Sequence, residues 1–359
     1  MKKSKHLASN VIIGIIIGVA ILLIFSDEDI VRILIFGAVF VGLSIPSLMA
    51  CFVSLAVAKF TGYKLSSFDA YWFKIKQNNG KLSFHTDASN FIIPRTIFYP
   101  DKREIGSIET VMVLIFNIVT YAIGTIASFV IYDITKDPIP FSLAIVFAVT
   151  LLNATVLPFD EGCPNNLSVI KEVLARKERA VAQNNHLKIM HLRSIDVRFK
   201  DMDEYLFEEF SREALGERMY YLNQVLRMQY FTDTKRFEDE VAVVDSIIDS
   251  PIIADEGDLA RGALRMDKAL CLLLMGASNE AIEDEYNHAD SEAFKEKCAK
   301  KSCVHAVGYA YELLYKNNCE KADEHLKLFY EYVDNNSKQT SERERDWVAM
   351  IKEEYKKRK

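Results

Sequence analysis

Long runs of apolar residues fill the first part of the chain and are almost absent after Pro158. Four of these runs are long enough to cross ~30 Å of hydrocarbon, which takes an α-helix of ~20 residues, and the second run is longer than one span needs. They lie at about residues 8–25, 30–60, 111–132 and 139–158. We therefore predict a transmembrane core of four helices within a first domain, residues 1–160.

The first apolar run has two interpretations. Its basic start, MKKSKH, is typical of a signal peptide. The run is longer than the apolar part of a usual signal peptide, however, and it has no clear small-x-small cleavage site. We therefore predict that it is a retained membrane anchor.

Lysine and arginine residues near the span ends predict the orientation, because they collect on the cytoplasmic side of a membrane. Lys2, Lys3 and Lys5 precede the first span, and the connection between the second and third spans is rich in basic residues. The first connection, SDED, has none. The pattern predicts a multi-pass membrane protein with both termini in the cytoplasm.

Residues 62–100, between the second and third spans, have a different pattern. Aromatic and polar residues alternate there, and NNG separates YWFKIK from KLSFHT. Alternation around such a turn is typical of a β-hairpin. We predict a small β-hairpin inserted into an otherwise helical membrane core.

The rest of the chain, residues 161–359, is charged and has apolar residues at helical spacing. Val307, Tyr311 and Leu314 form one stripe, and Ala322, Leu326 and Phe329 form another. The stretch AYELLYKNNCEKADEHLKLFYEY therefore predicts two amphipathic helices joined by a polar turn. We predict an all-α soluble domain of helical hairpins similar to tetratricopeptide repeats, although no clean 34-residue period is present. An irregular helical bundle is the alternative.

Charge and cysteine content narrow the functional classes. The chain has a net charge of -6, and its basic residues are not interleaved with aromatic residues on one face, so we predict no nucleic-acid partner. Five of the six cysteines fall on the predicted cytoplasmic side, where thiols stay reduced, so we predict no disulfides. His186 and His191 are five residues apart, and we expect both on a solvated helix surface.

Several motifs together carry a family resemblance. They are the helix exit TGYKLSSF, the hairpin ending NNGKLSF, Asn117 in the third span, the stretch NATVLPFDEGCPNNLSVIKEVL and FKDMDEYLF in the tail. With them the chain resembles the site-2 protease-type intramembrane zinc metallopeptidases, in particular a bacterial group with a helical cytoplasmic extension at the C-terminus. The resemblance covers most of the chain.

The chemistry of that family does not carry over residue by residue. An HExxH helix directs two imidazoles, at i and i+4, to one zinc ion, and its Glu is the general base. Counted back from TGYK, these three positions hold Ala50, Cys51 and Ser54. The remnant of the third-ligand motif is Asp160 or Asn165. We expect Cys51 and Ser54 to lie on a small-residue helix-packing face.

The resemblance, without its ligands, implies a catalytically inactive protein of the bacterial cell membrane that needs no metal or other cofactor. The partners it implies are the lipid bilayer, a hydrophobic peptide or transmembrane protein, and a protein bound to the cytoplasmic helical domain. Two alternatives stay open. One is an active intramembrane zinc metallopeptidase whose ligands the motifs do not reveal. The other is a membrane-anchored helical-repeat scaffold.

Overall fold

A computed structural model describes most of the chain after residue 45. The described residues are 46, 48–70, 73–78, 81–86, 95–102, 106–155, 166–289 and 292–359. The chain divides into two compact units, Met1–His191 and Leu192–Lys359. Described helices dominate both units, and a small antiparallel sheet lies in the first, so the predicted mostly helical class with a small β element is confirmed. The boundary predicted at residue 160 lies outside the described residues.

Three apolar helices belong to the first unit: α1 (Leu48–Thr61), α2 (Ser107–Thr135) and α3 (Pro138–Thr155). Helix α2 has 29 residues and, among the described helices, is the one long and apolar enough to cross a membrane. It ends at Lys136, whose left-handed backbone (φ 55°) turns the chain into Pro138 at the start of α3. The predicted run 8–25 lies outside the described residues.

The sheet is larger than the predicted hairpin. Its strands are β1 (Tyr63–Ala70), β2 (Phe73–Asn78), β3 (Lys81–His85) and β4 (Arg95–Pro100). They run antiparallel in the order β3-β2-β1-β4. The predicted hairpin is the β2–β3 pair, which closes where Asn78 pairs with Lys81. The stretch TGYKLSSF runs from the last residue of α1 into β1, so α1 leads directly into the sheet.

Two helices complete the first unit, α4 (Asn166–Ala175) and α5 (Lys177–Ser194), and the last residues of α5 enter the second unit. Leu187 of α5 packs against a buried cluster made by Ala58 of α1, Tyr63 of β1 and Phe98 of β4. Helix α5 therefore covers the end of the sheet that joins α1.

The regular secondary structure among the described residues of the second unit is all helical. Two short 3-10 turns, Phe199–Asp201 and Glu204–Phe207, precede its α-helices. The α-helices are α6 (Arg212–Leu215), α7 (Glu217–Thr234), α8 (Phe237–Ile247), α9 (Pro251–Glu256), α10 (Asp258–Met275), α11 (Asn279–Ala289), α12 (Glu292–Cys298), α13 (Ser302–Ala310), α14 (Cys319–Tyr332) and α15 (Lys338–Arg358).

Helix α13, its π-helical continuation Tyr311–Tyr315 and helix α14 form the predicted helical hairpin. Val307, Tyr311, Ala322 and Phe329 are buried in one apolar cluster, and Leu314 and Leu326 pack against it. The turn before α14 is fixed by Asn318, whose side chain accepts a hydrogen bond from the backbone N–H of Lys321 (3.2 Å), as N-cap residues do. The two stripes read from the sequence are thus confirmed as one shared core.

Candidate functional site

Helix α1 carries the positions at which the resembled family has its zinc-binding motif. Ala50, Cys51 and Ser54 lie on its buried side and are 4%, 5% and 1% exposed. The opposite side presents Phe52 and Phe60, which are 67% and 85% exposed. Small side chains therefore face the protein and large apolar ones face outward.

Ser54 is engaged by the next apolar helix. Its hydroxyl donates a hydrogen bond of 2.5 Å to the side-chain carbonyl of Asn117 on α2. A neutral hydroxyl and a neutral amide satisfy one another in this pair, so it brings no charge into an apolar interface. The position that the motif count assigns to the second zinc-binding histidine thus fastens α1 to α2.

Metal-binding side chains do not cluster in the described part of the chain. Within that part, no three side chains of His, Cys, Asp or Glu converge closely enough to hold a metal ion. Asp160 and Asn165, the candidates for the third-ligand remnant, lie outside the described residues. At the interface between α1 and α2, Cys51 supplies one thiol, Ser54 one hydroxyl and Asn117 one amide.

Small residues also set the contact between α2 and α3. Gly124 of α2 faces Phe147 of α3 so closely that a Cβ added there would lie 2.3 Å from the ring. Thr120 and Ser128 are buried on the same helix, and the hydroxyl of Thr120 donates back to the carbonyl of Phe116 (2.7 Å). Close packing through small and hydroxyl-bearing residues is typical of helices in membranes.

A buried polar network joins α5 to the sheet and to α2. The hydroxyl of Tyr63 donates to the side-chain carbonyl of Asn184, whose amide donates to the hydroxyl of Thr110 (3.2 Å). Burial raises the pKa of Tyr63 to about 12, so its hydroxyl keeps the proton that this bond needs. The network therefore holds α2 and α5 against β1, the strand that follows the end of α1.

The expected exposure of His191 is wrong. His191 is 5% exposed, stacks on the ring of Tyr99 with centroids 3.6 Å apart, and lies 2.9 Å from the hydroxyl of Ser66 through Nδ1. Burial, aided by nearby Lys188, lowers its pKa to about 4, so the ring is neutral at physiological pH. His186 is also shielded, and burial lowers its pKa. The side chain of His191 faces the sheet, because Ser66 of β1 and Tyr99 of β4 both contact it.

The second unit contains buried acids that the sequence analysis missed. Glu240 of α8 is 1% exposed, and no described residue is a hydrogen-bond partner of its Oε2. Glu344 of α15 is 3% exposed and accepts hydrogen bonds from Ser302 (2.5 Å) and Asn336 (3.2 Å). One signal was available for Glu240, because it lies three, four and seven residues before the apolar Val243, Val244 and Ile247.

Comparison of the chain with protein-family profiles, with curated proteins and with solved structures found no match.

Proposed function

We propose that this chain is a multi-pass bacterial membrane protein with a degenerate site-2 protease-like core that holds a hydrophobic peptide or membrane protein without cleaving it. The hydrogen bond between Ser54 and Asn117 carries the proposal. It occupies the helix interface at which the resembled family binds zinc, and it leaves the neighbouring Ala50 and Cys51 packed among other side chains.

The exposed surface of α2 supports a position in the bilayer. Its buried residues include Thr120, Gly124 and Ser128, whereas Ile123 and Ile126 are 60% and 64% exposed. Helices of water-soluble proteins have the reverse distribution, with apolar residues inside. A helix with apolar residues on its outer surface and small polar residues inside is favoured in lipid. We extend the same environment to α1, to α3 and to the run 8–25, which gives four spans and cytoplasmic termini.

The sheet supplies a surface for the partner. Strand β3 is an edge strand of the sheet, and β2 is its one neighbour among the described strands. Leu82 and Phe84 point to the same face of β3 and are 66% and 60% exposed. An extended segment that hydrogen-bonds to the outer edge of β3 would place apolar side chains against these two.

A photoreactive amino acid placed at Leu82 or Phe84 tests partner binding in intact membranes. We expect either position to cross-link one membrane polypeptide, which stays at full length. The same probe at Ile134, which is 76% exposed at the end of α2, is the control and should cross-link no polypeptide. Phe84→Asp should abolish capture from Leu82. Cross-linking that is equal from all three positions, or a partner recovered as fragments, would contradict the proposal.

Zinc content gives an independent prediction. Protein purified in mild detergent should hold far less than one zinc per chain, because a catalytic site needs about three protein ligands and the α1 positions supply no imidazole. Elemental analysis measures this directly, and Cys51→Ala should leave the result unchanged. A content of about one zinc per chain that Cys51→Ala removes would support the active-peptidase alternative instead.

Thiol labelling tests the predicted orientation. Cys319 is exposed, so it reports on the side of the membrane that the second unit occupies. In intact cells a membrane-impermeant thiol reagent should miss Cys319 and should label a cysteine introduced by Ser26→Cys. Cys271 is 1% exposed and is unsuitable, because burial alone would protect it. Labelling of Cys319 before the cells are broken would mean that the orientation is inverted.

A further inference from the structure

The second unit contains a cavity of about 510 Å³. Its wall is formed by the turn at Lys200, by the C-terminal end of α7 and by one side of α15. The volume is within the range of ~300–1,000 Å³ that small-molecule sites occupy. Trp347 and Met350 give the wall an apolar part. The cavity is therefore large enough for an organic molecule and not only for an inorganic ion.

Three cationic side chains line this cavity: Lys200, Lys235 and Arg343. Two of its acids, Asp233 and Asp346, share the guanidinium of Arg198, and Asp346 also lies 3.7 Å from the ammonium of Lys200. Asp233 accepts from the guanidinium of Arg198 and from the backbone N–H of Lys200 (3.1 Å). Asp346 accepts from Nη1 of Arg198 (2.8 Å). The remaining acid of the lining, Glu353, is exposed.

Arg343 has no carboxylate partner within ion-pair distance among the described residues. Its Nη1 donates to the neutral side-chain carbonyl of Gln229, and its buried Nε has no acceptor in the part of the chain that the structure describes. A second guanidinium, that of Arg193, is close enough that burial and the charge of Arg343 lower the pKa of Arg193. Two neighbouring cations favour an anion between or beside them.

Acids do act on Arg343 from a greater distance. The charge of Arg343 opposes the rise in pKa that burial causes in Glu240, Asp267 and Glu344. None of these carboxyl groups is within 4.0 Å of Arg343. They do not satisfy its hydrogen-bonding groups. In addition, the ring of Trp347 lies 5.2 Å from the guanidinium of Arg343, and its buried indole N–H has no acceptor among the described residues. Arg343 therefore brings to the lining a guanidinium that no carboxylate of the described residues pairs with, and a ligand with acceptor groups suits it.

Lys235 is the residue directly after α7, a position at which helices commonly have glycine. Its backbone is left-handed (φ 63°), and its N–H closes α7 by donating to the carbonyls of Phe231 and Thr232. Most residues other than glycine are disfavoured in this conformation. The side chain of Lys235 is exposed and has no ion pair among the described residues, so its ammonium is available to a ligand.

We infer that this cavity binds a small organic anion, with its phosphate or carboxylate groups held by Lys200, Lys235 and Arg343 and its body against Trp347 and Met350. The inference concerns the second unit and does not depend on the proposed function of the membrane core.

Fluorescence of the full chain in detergent tests the inference. The sequence has two tryptophans, Trp72 and Trp347, so Trp72→Phe leaves Trp347 in the cavity wall as the one reporter. Glucose 6-phosphate represents phosphate monoesters and citrate represents polycarboxylates, and sodium chloride of equal ionic strength is the blank. We expect at least one probe to change the emission saturably, with a Kd below about 1 mM.

Variants separate binding from folding. Lys235→Gly removes the ammonium while it relieves the left-handed backbone, so the protein should fold and bind at least about tenfold more weakly. Asn317→Gly changes another left-handed residue (φ 51°) away from the cavity and should bind as the parent does. Glu353→Gln should tighten binding, because it removes an opposing charge. No saturable change with either probe, or equal affinity of Lys235→Gly and the parent, would overturn the inference.

Discussion

Phe329→Ala is expected to lower the free energy of unfolding of the second unit by about 3–5 kcal/mol. Phe329 is 0% exposed in the cluster that joins α13, α14 and α15, and removal of its ring would leave a cavity that rigid helices cannot close. Chemical denaturation followed by circular dichroism measures the change. Tyr330→Ala is the matched control: Tyr330 follows in sequence and is 48% exposed, so its loss should cost less than about 1 kcal/mol.

This measurement uses residues 192–359 expressed alone. That segment is a compact unit with its own apolar cluster, so it does not need the first unit to bury its helices. We expect the fragment to be soluble, strongly helical and cooperative in thermal unfolding. An aggregated or unfolded fragment would show that the tail depends on the membrane core, and the two-unit organisation would then be wrong.

The helices of the tail could be predicted because their information is local. Residues three and four apart in the sequence lie on one helix face, so the stripe containing Val307 and Tyr311 indicates both a helix and the side that it buries. The facing stripe, with Ala322 and Phe329, follows after a short turn, which brings the two faces together. For this hairpin, the apolar residues that the sequence predicted to face each other are the residues that form the core.

The sheet was only partly predictable because its pairing is not local. Strands β2 and β3 follow each other across NNG, and the alternation there predicted them. Strand β1 pairs with β4 on its other side, so that Tyr63 lies opposite Pro100, and no short-range pattern specifies this partner. A hairpin was therefore expected where a sheet of four strands is present.

The same limit applies to the polar residues of the first unit. The spacing of His186 and His191 on one helix says nothing about which other element covers that helix. Ser66, the hydrogen-bonding neighbour of His191, is 125 residues away in the chain. Likewise, the motif count located Ser54, but its acceptor Asn117 is 63 residues further on. Motif spacing can identify positions, whereas contacts between distant segments decide what those positions do.

Glu240 shows how a buried charge can escape notice. Its position among Val243, Val244 and Ile247 on one helix face was visible, but acidic residues also belong in the first turn of a helix, where the macrodipole favours them. The local pattern therefore suited a solvated carboxylate as well as a buried one. Its burial depends on α10, from which Asp267 and Cys271 act on the pKa of Glu240.

Glu240→Gln is expected to remove a large pH dependence from the stability of the second unit. Burial, with the charge of Asp267, raises the pKa of Glu240 from its ordinary 4.5 to about 8. The folded state therefore holds this proton more tightly than the unfolded state. The resulting stabilisation is complete below about pH 4.5 and is lost as the pH rises through about 8.

Gln resembles the protonated acid in shape and does not titrate. Relative to the parent, the Gln variant should therefore change little in stability near pH 4.5 and should be more stable by about 3–5 kcal/mol above pH 8. Denaturation of residues 192–359 at a series of pH values measures this difference, in which the titration of Asp267 largely cancels. Glu238→Gln, on the exposed side of α8, is the control and should follow the parent. If Glu240→Gln also follows the parent at every pH, the carboxyl group of Glu240 reaches water in the folded protein, and its burial between α8 and α10 is not maintained in solution.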